Sequence, residues 1–139
     1  MKRSGILNPA LCRALASMGH TDSIVVCDAG LPIPDGPERI DLSLLPGLPA
    51  FQDVLAAIIA ELQIEQAQIA SEFAQQSPQL HNETVAMLEA QAAVQGAPIA
   101  IERFSHEDLK RATRNARAIV RTGECTPFAN VILFSGVPF

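Results

Sequence analysis

The sequence predicts an α/β domain of three layers, and three observations carry that expectation. Short apolar runs at 23–27, 99–104, 118–120 and 131–134 are too brief for helices. Stretches with apolar residues at helical spacing lie between most of them, and no internal repeat or linker interrupts the alternation. At 139 residues the chain fits one domain, 1–139, able to bury roughly two-thirds of the surface its unfolded form exposes.

The elements follow in order. Asn8-Pro9 opens the first helix, an N-cap side chain followed by a proline whose missing N–H costs nothing there. Leu11, Leu15 and Met18 recur at helical spacing, and Gly19 is expected to end the helix as a left-handed residue. Ser23–Cys27 is a buried strand that the glycines and prolines from 30 to 37 cannot continue. A short strand near Ile40–Leu42 precedes a second helix, which begins beside Pro49 and carries Phe51, Val54, Leu55, Ile58 and Leu62 on one face. Residues 63–73 read as a strand, although Ile64, Ala67 and Ile69 do not alternate cleanly. Ser77-Pro78 starts a third helix with Leu80, Met87 and Leu88 inward and Gly96 as its stop. After the strand ending at Phe104, Ser105 and Asp108 make a capping-box-like start to a fourth helix, with His106 as its first residue.

Composition narrows the function classes. The net charge of −5 argues against a nucleic-acid or anionic-membrane binder. The one basic cluster, Lys110, Arg111, Arg114, Arg117 and Arg121, reads as a solvated helix face running into a strand. With 48% hydrophobic and 18% charged residues, some apolar surface is expected to be covered by other subunits. Met1-Lys2-Arg3 leads into no long apolar stretch, so neither a secretory signal nor a membrane span is expected and the cytoplasm is the default compartment. Cys12, Cys27 and Cys125 form no C-x-x-C pair; the first two read as small hydrophobes, and none is assigned a catalytic role. His20, His81 and His106 are too scattered for a metal motif, and Gly30 and Gly36 belong to a Pro-rich turn without a nucleotide-binding fingerprint.

The chemistry-bearing segments are Gly19-His20-Thr21-Asp22, Asp28-Ala29-Gly30-Leu31-Pro32-Ile33-Pro34 and Thr122–Asn130. His20 precedes the buried strand and Asp28 follows it, at the kind of strand end where open α/β sheets hold ligands. An imidazole moves protons near neutral pH; the plainer role for His20 is to cap the preceding helix. Asp28 can accept from several donors or orient His20, or it can simply stabilise the turn after the strand. Asn130 offers a donor and an acceptor suited to a vicinal hydroxyl pair, or serves as a turn residue.

These segments, together with Ile40-Asp41-Leu42-Ser43-Leu44, Pro46–Phe51, Ser105-His106-Glu107 and the terminal Gly136-Val137-Pro138-Phe139, resemble the D-ribose pyranase family of sugar mutarotases from position 5 to 139. The resemblance implies an α/β/α fold with a mixed, mostly parallel central sheet. It implies a cofactor-free isomerase that exchanges the ring forms of a free monosaccharide, most simply β-D-ribopyranose and β-D-ribofuranose. It casts His20 in proton transfer and Asp28, His106, Phe128, Ala129 and Asn130 as sugar-binding, with no metal. The fucose mutarotases share the early histidine and the terminal block, but the turn after Asp28 and the segment 46–51 look more like the ribose branch. Phe128 departs from the tyrosine usual in the family, and the chain contains no tyrosine at all. That departure keeps open a non-catalytic sugar-binding or regulatory module. The resemblance also implies a ring-shaped homo-oligomer, a decamer of two stacked pentamers. In that assembly Phe128 and Asn130 of one chain are expected to reach the pocket holding His20 and Asp28 of the next, and the apolar run Val131–Phe139 is expected to dock on a neighbour.

Overall fold

A computed structural model describes residues 1–139. Helix α1 (Pro9–Ala16) begins where Asn8 Oδ1 accepts the Leu11 N–H, as its sequence predicts. It ends earlier than expected, at Ser17, and Gly19 is not its left-handed stop: positive φ falls instead on Thr21 (φ 68°). Gly19 gives its N–H to the Asp22 carboxylate, so the chain reverses two residues later.

Strands β1 (Ser23–Cys27), β2 (Glu38–Asp41), β3 (Ile64–Ala70), β4 (Ala100–Phe104), β5 (Ala118–Arg121) and β6 (Val131–Ser135) form one sheet in the order β2-β5-β1-β6-β3-β4. The β2/β5, β5/β1 and β3/β4 pairs are parallel, whereas β6 runs antiparallel to both β1 and β3. The sheet is therefore mixed and mostly parallel, with its one reversed strand at the centre. β1 is buried on both faces, which is why it reads as an unbroken apolar run.

One face of the sheet carries most of the core. Leu11 and Leu15 of α1, Phe51, Leu55 and Ile58 of α2 (Phe51–Ile59), Phe73 of α3 (Ser71–Gln76) and Leu88 of α4 (Pro78–Gln95) pack against Ile24, Val26, Ile69, Val120, Val131 and Leu133. The other face is covered more thinly, by Leu109 of α5 (His106–Ala112) and by Leu31 over Val25, Cys27, Ile119 and Ile132. Burial pushes the Cys27 thiol up to about 12, in keeping with an inert packing residue.

Two expectations change. The strand read over 63–73 stops at Ala70, because Ser71–Gln76 turns into a helix with no side-chain N-cap to announce it. Ser77 does precede α4, but its hydroxyl donates to the Pro127 carbonyl instead of capping the helix; Leu88 is buried with Leu80 and Met87 packed partly buried against the core as expected, His81 and Thr84 join them, and Gly96 (φ 69°) is the left-handed stop. Of the apolar run from Val131, Val131, Ile132 and Leu133 are buried in the chain's own central strand, whereas Val137 and Phe139 are exposed. The basic cluster is mostly paired: Lys110 with Glu107, Arg111 with Asp108, Arg117 with Asp22 and Arg121 with Asp41. No helix is long and apolar enough to cross a membrane.

The loop between β2 and α2 is laced to Gly123: its N–H donates to the Pro49 carbonyl at 2.9 Å, and its own carbonyl accepts the Gly47 N–H at 2.6 Å. A Cβ on Gly123 would lie 2.3 Å from the Leu48 carbonyl oxygen, a backbone atom with no room to retreat. We therefore expect Gly123→Ala to destabilise the fold by about 1–3 kcal/mol, the usual penalty of overpacking. Gly19→Ala, whose nearest neighbour is 3.7 Å away, should stay within about 0.5 kcal/mol of the parent. Denaturant titration of the two variants checks both.

Candidate active site

The end of β1 delivers Asp28 to the start of β6. Asn130 holds it on two sides: the Asp28 N–H donates to Asn130 Oδ1 at 3.0 Å, and Asn130 Nδ2 donates to Asp28 Oδ2 at 3.0 Å. The other carboxylate oxygen accepts the Gly30 N–H at 2.9 Å, so the turn role and the placement of the carboxylate coexist. Burial pushes the Asp28 carboxyl above its ordinary value, while the bonds from Gly30, Asn130 and Leu31 and the nearby His106 pull it partly back. Asn130 is wholly buried and its amide is committed to Asp28; Ala129 is also wholly buried, packed in the main core.

His106 and Phe128 complete this group. Their rings meet edge to face, with centroids 4.9 Å apart at 89°. The Glu72 carboxylate accepts the His106 N–H, at 3.0 and 3.2 Å to its two oxygens, and so fixes the first residue of α5 from the first turn of α3. His106 Nδ1 is buried without a hydrogen-bond partner. Phe128 is held with φ 64°, a left-handed conformation uncommon for a bulky residue, in a turn closed by the Asn130 N–H to the Phe128 carbonyl at 2.8 Å. Beside Asp28 lies an open cavity of about 400 Å³ lined by Asp28, Ala29, Gly30, Glu124, Cys125 and Thr126 among others. Glu124 organises its wall. Burial pushes the Glu124 carboxyl up, but bonds from the Thr126 side chain and from the N–H groups of Phe51, Thr126 and Cys125 outweigh it and hold the group below its usual value.

His20 is elsewhere. It tops a tight turn in which the Thr21 N–H donates to the Ser135 carbonyl at 2.9 Å, and Asp22 returns its carbonyl to the Ser135 N–H at 2.8 Å. Asp22 Oδ1 also pairs with Arg117 at 2.9 Å. The His20 Nε2 lies 2.9 Å from Glu65 Oε2. The five-residue strand β1 separates this turn from Asp28 by roughly 17 Å at 3.3 Å per residue. Within one chain, then, Asp28, His106, Phe128 and Asn130 come together, and His20 does not join them. Two expectations are corrected: Asp28 does not orient His20 in its own chain, and Asn130 belongs to the same chain's Asp28 instead of reaching it from a neighbour. The extended strand β1 keeps Asp28 away from His20, and the antiparallel β1/β6 ladder, with Val26 opposite Val131, sets Asn130 beside Asp28.

The sequence reading overlooked three carboxylates: Glu65, Glu72 and Glu124. Only Glu65 left a local trace, the broken alternation of Ile64, Ala67 and Ile69. The structure shows a β-bulge there, with Ile64 opposite Ser135 and Gln66 opposite Phe134. Glu72 and Glu124 act on backbone N–H groups 34 and 73 residues away, which no local pattern reveals.

Comparison with known proteins places this geometry in a family. The model of the RbsD / FucU transport protein family matches residues 1–138. The chain is 50% identical to the D-ribose pyranase of Aliivibrio salmonicida and 53% identical to that of Aeromonas hydrophila, over 100% of both chains in each case. It is similar to the solved structure of Bacillus subtilis RbsD complexed with D-ribose, with a TM-score of 0.87 and 47% identity over 100% of both chains. FucU from Bifidobacterium longum shares the fold, with a TM-score of 0.79 at 22% identity and 96% of each chain covered. With the match spanning nearly every residue, the chain belongs to the RbsD / FucU transport protein family.

Proposed function

We propose that the protein is a cofactor-free isomerase that exchanges the pyranose and furanose forms of free D-ribose, with His20 as the proton-transfer group. The observation that carries the reading is the half-buried carboxylate of Asp28, fixed by the buried Asn130 beside His106 and Phe128, in a chain about half identical end to end to D-ribose pyranases. Such a group suits a polyhydroxylated ring: carboxylate and imidazole meet hydroxyls, and an aromatic ring packs against the C–H face.

The reaction needs only protons. In the pyranose, O5 closes the ring on C1; opening moves a proton from O1 to O5 and leaves an aldehyde. Closure forms the O4–C1 bond as O4 gives up its proton and O1 regains one, so atoms and charge balance. One imidazole serves both directions, since such a ring titrates at about 6.5 when unperturbed. Asp28 holds the hydroxyls that do not react. The ribose branch is favoured over a fucose-type anomer exchange because the identity to D-ribose pyranases is about 50%, against 27% to a Streptococcus pneumoniae fucose mutarotase solved with L-fucose.

In this reading the site is completed between copies, His20 of one facing Asp28, His106 and Phe128 of another. The exposed Leu44, Leu45 and Leu48, next to the loop that walls the Asp28 cavity, supply apolar surface for such a contact. A ring-shaped decamer in the cytoplasm is the assembly and compartment that go with it.

Magnetisation-transfer NMR on ribose and fucose tests the activity directly. Acceleration of ribose exchange is expected; a rate equal to that without protein overturns the reading in favour of a binding module. His20→Ala should abolish the acceleration while leaving thermal stability within about 0.5 kcal/mol, since its side chain is 54% exposed. Equal amounts of inactive His20→Ala and Asp28→Asn chains, dissociated and reassembled together, should recover about a quarter of the parental rate, because one random pairing in four restores a complete site. Sedimentation as an active monomer contradicts the shared site.

Phe128→Tyr restores the hydroxyl typical of the family and is expected to tighten ribose binding about two- to tenfold, the worth of one hydrogen bond at about 0.5–1.5 kcal/mol. Calorimetric titration measures it. The raised Asp28 carboxyl contributes a step to the acid limb, beside the loss of neutral imidazole. Its folded value lies above the unfolded one of about 3.9, so its proton adds stability below that unfolded value and the gain is lost as pH rises through the folded one. Activity runs the other way, falling as acid neutralises the acceptor. The carboxyl's step in the rate profile should therefore lie at a pH above about 3.9, and Asp28→Asn should remove that step along with most of the rate.

A further inference from the structure

The geometry points to Glu65 as the positioning residue for His20, an inference that rests on His20 being the proton-transfer group. Three observations converge on it. The His20 Nε2 and Glu65 Oε2 are 2.9 Å apart, with both side chains about half exposed. Glu65 is the residue that the bulge adds to β3, lying between the Ile64–Ser135 and Gln66–Phe134 pairs without an opposite number of its own. A bulge re-aims a side chain, and bulges concentrate beside active sites. The backbone of both partners is also anchored to the same strand end. The Gly136 N–H donates to the Gln63 carbonyl at 2.9 Å, and a Cβ on Gly136 would stand 3.3 Å from the Glu65 Cβ; on the other side Ser135 holds the turn that carries His20.

An ion pair between two free surface side chains contributes little, because both must be ordered to form it. Here the two backbones are already set, so the carboxylate can fix the ring. With Nε2–H donated to Glu65, the neutral imidazole carries its lone pair on Nδ1. Nδ1 is then the atom that takes the proton from the sugar O1 and passes it to O5 on opening, and carries the O4 proton to O1 on closure. Glu65 touches no substrate in this scheme; it sets the tautomer and the direction of the ring.

Glu65→Ala in the full-length protein should lower kcat for ribose exchange about tenfold or more, the usual effect of removing such a partner, with KM unchanged. Nitrogen-15 NMR of the parent should show His20 in the Nε2–H form, and of the variant a mixture of tautomers. Glu65→Gln keeps an acceptor oxygen and should recover most of the rate and the single tautomer. The double variant His20→Ala/Glu65→Ala should be no slower than His20→Ala alone. Parental kcat in Glu65→Ala, with His20→Ala inactive, overturns the role of Glu65 and leaves that of His20 intact. A fully active His20→Ala overturns the reading beneath it. If Glu65→Ala does not assemble, the parental spectrum decides: a His20 ring protonated on Nδ1 when neutral overturns the assignment.

Discussion

Everything in this molecule that looks like chemistry is tied to the two ends of one reversed strand. β6 lies between β1 and β3 and runs against both, so its start adjoins the C-terminal ends of those strands and its finish adjoins their beginnings. At the start, Phe128 and Asn130 meet Asp28; at the finish, Ser135 and Gly136 hold the turn of His20 and the bulge of Glu65. Had β6 been parallel, its flanking residues would have met different partners at both ends. The antiparallel ladder thus sets both the distance and the orientation between the two groups, and the buried Val131, Ile132 and Leu133 make that spacer stiff.

The two ends are built on different physical terms. Around Asp28 the polar groups are sheltered: Asn130 is fully buried, Asp28 feels desolvation, and Glu72 and Glu124 spend their charge on backbone N–H groups of neighbouring elements. A site of this kind holds hydroxyls firmly because its dipoles are already oriented before a ligand arrives. Around His20 the groups are half exposed, and order comes from the backbone. The same contrast appears in the two residues with positive φ other than glycine, Thr21 and Phe128, one at each end. Left-handed conformations of such residues persist where the surroundings over-determine them, and here hydrogen bonds to Ser135 and from Asn130 do so.

How much of this was legible in the sequence depends on the range of the signal. Asn8, Gly96 and the Ser105/Asp108 pair announce helix boundaries by local hydrogen bonding and conformation, and the structure uses each of them so. The buried strand before Asp28 was equally plain, since a strand covered on both faces must be apolar throughout. Residues 71–76 were missed because a short helix without a side-chain cap differs little from a strand in composition. Glu65 was half visible: the phase slip between Ile64 and Ala67 is the bulge itself, and only the opposing strand shows that it is a bulge and not a weak strand. That Asp28 and Asn130 share one hydrogen-bonded pair, 102 residues apart in sequence, is a property of the strand order, as is the separation of His20 from both.

The position of β6 in the chain has a consequence for biosynthesis. It is the sixth strand in order of translation yet the third from one edge of the sheet, and no direct ladder joins β1 to β3 without it. β1 pairs only with β5 and β6 and β2 only with β5, both late in the chain, so during synthesis β3 and β4 can pair while β1 and β2 wait without a ladder partner, leaving open apolar edges of the kind that recruit other chains. Completion of the sheet is a late, nonlocal event that closes long loops at once, the slow class of folding step. The strand that sets the spacing of the two candidate groups is thus also the one whose arrival commits the chain to its native state.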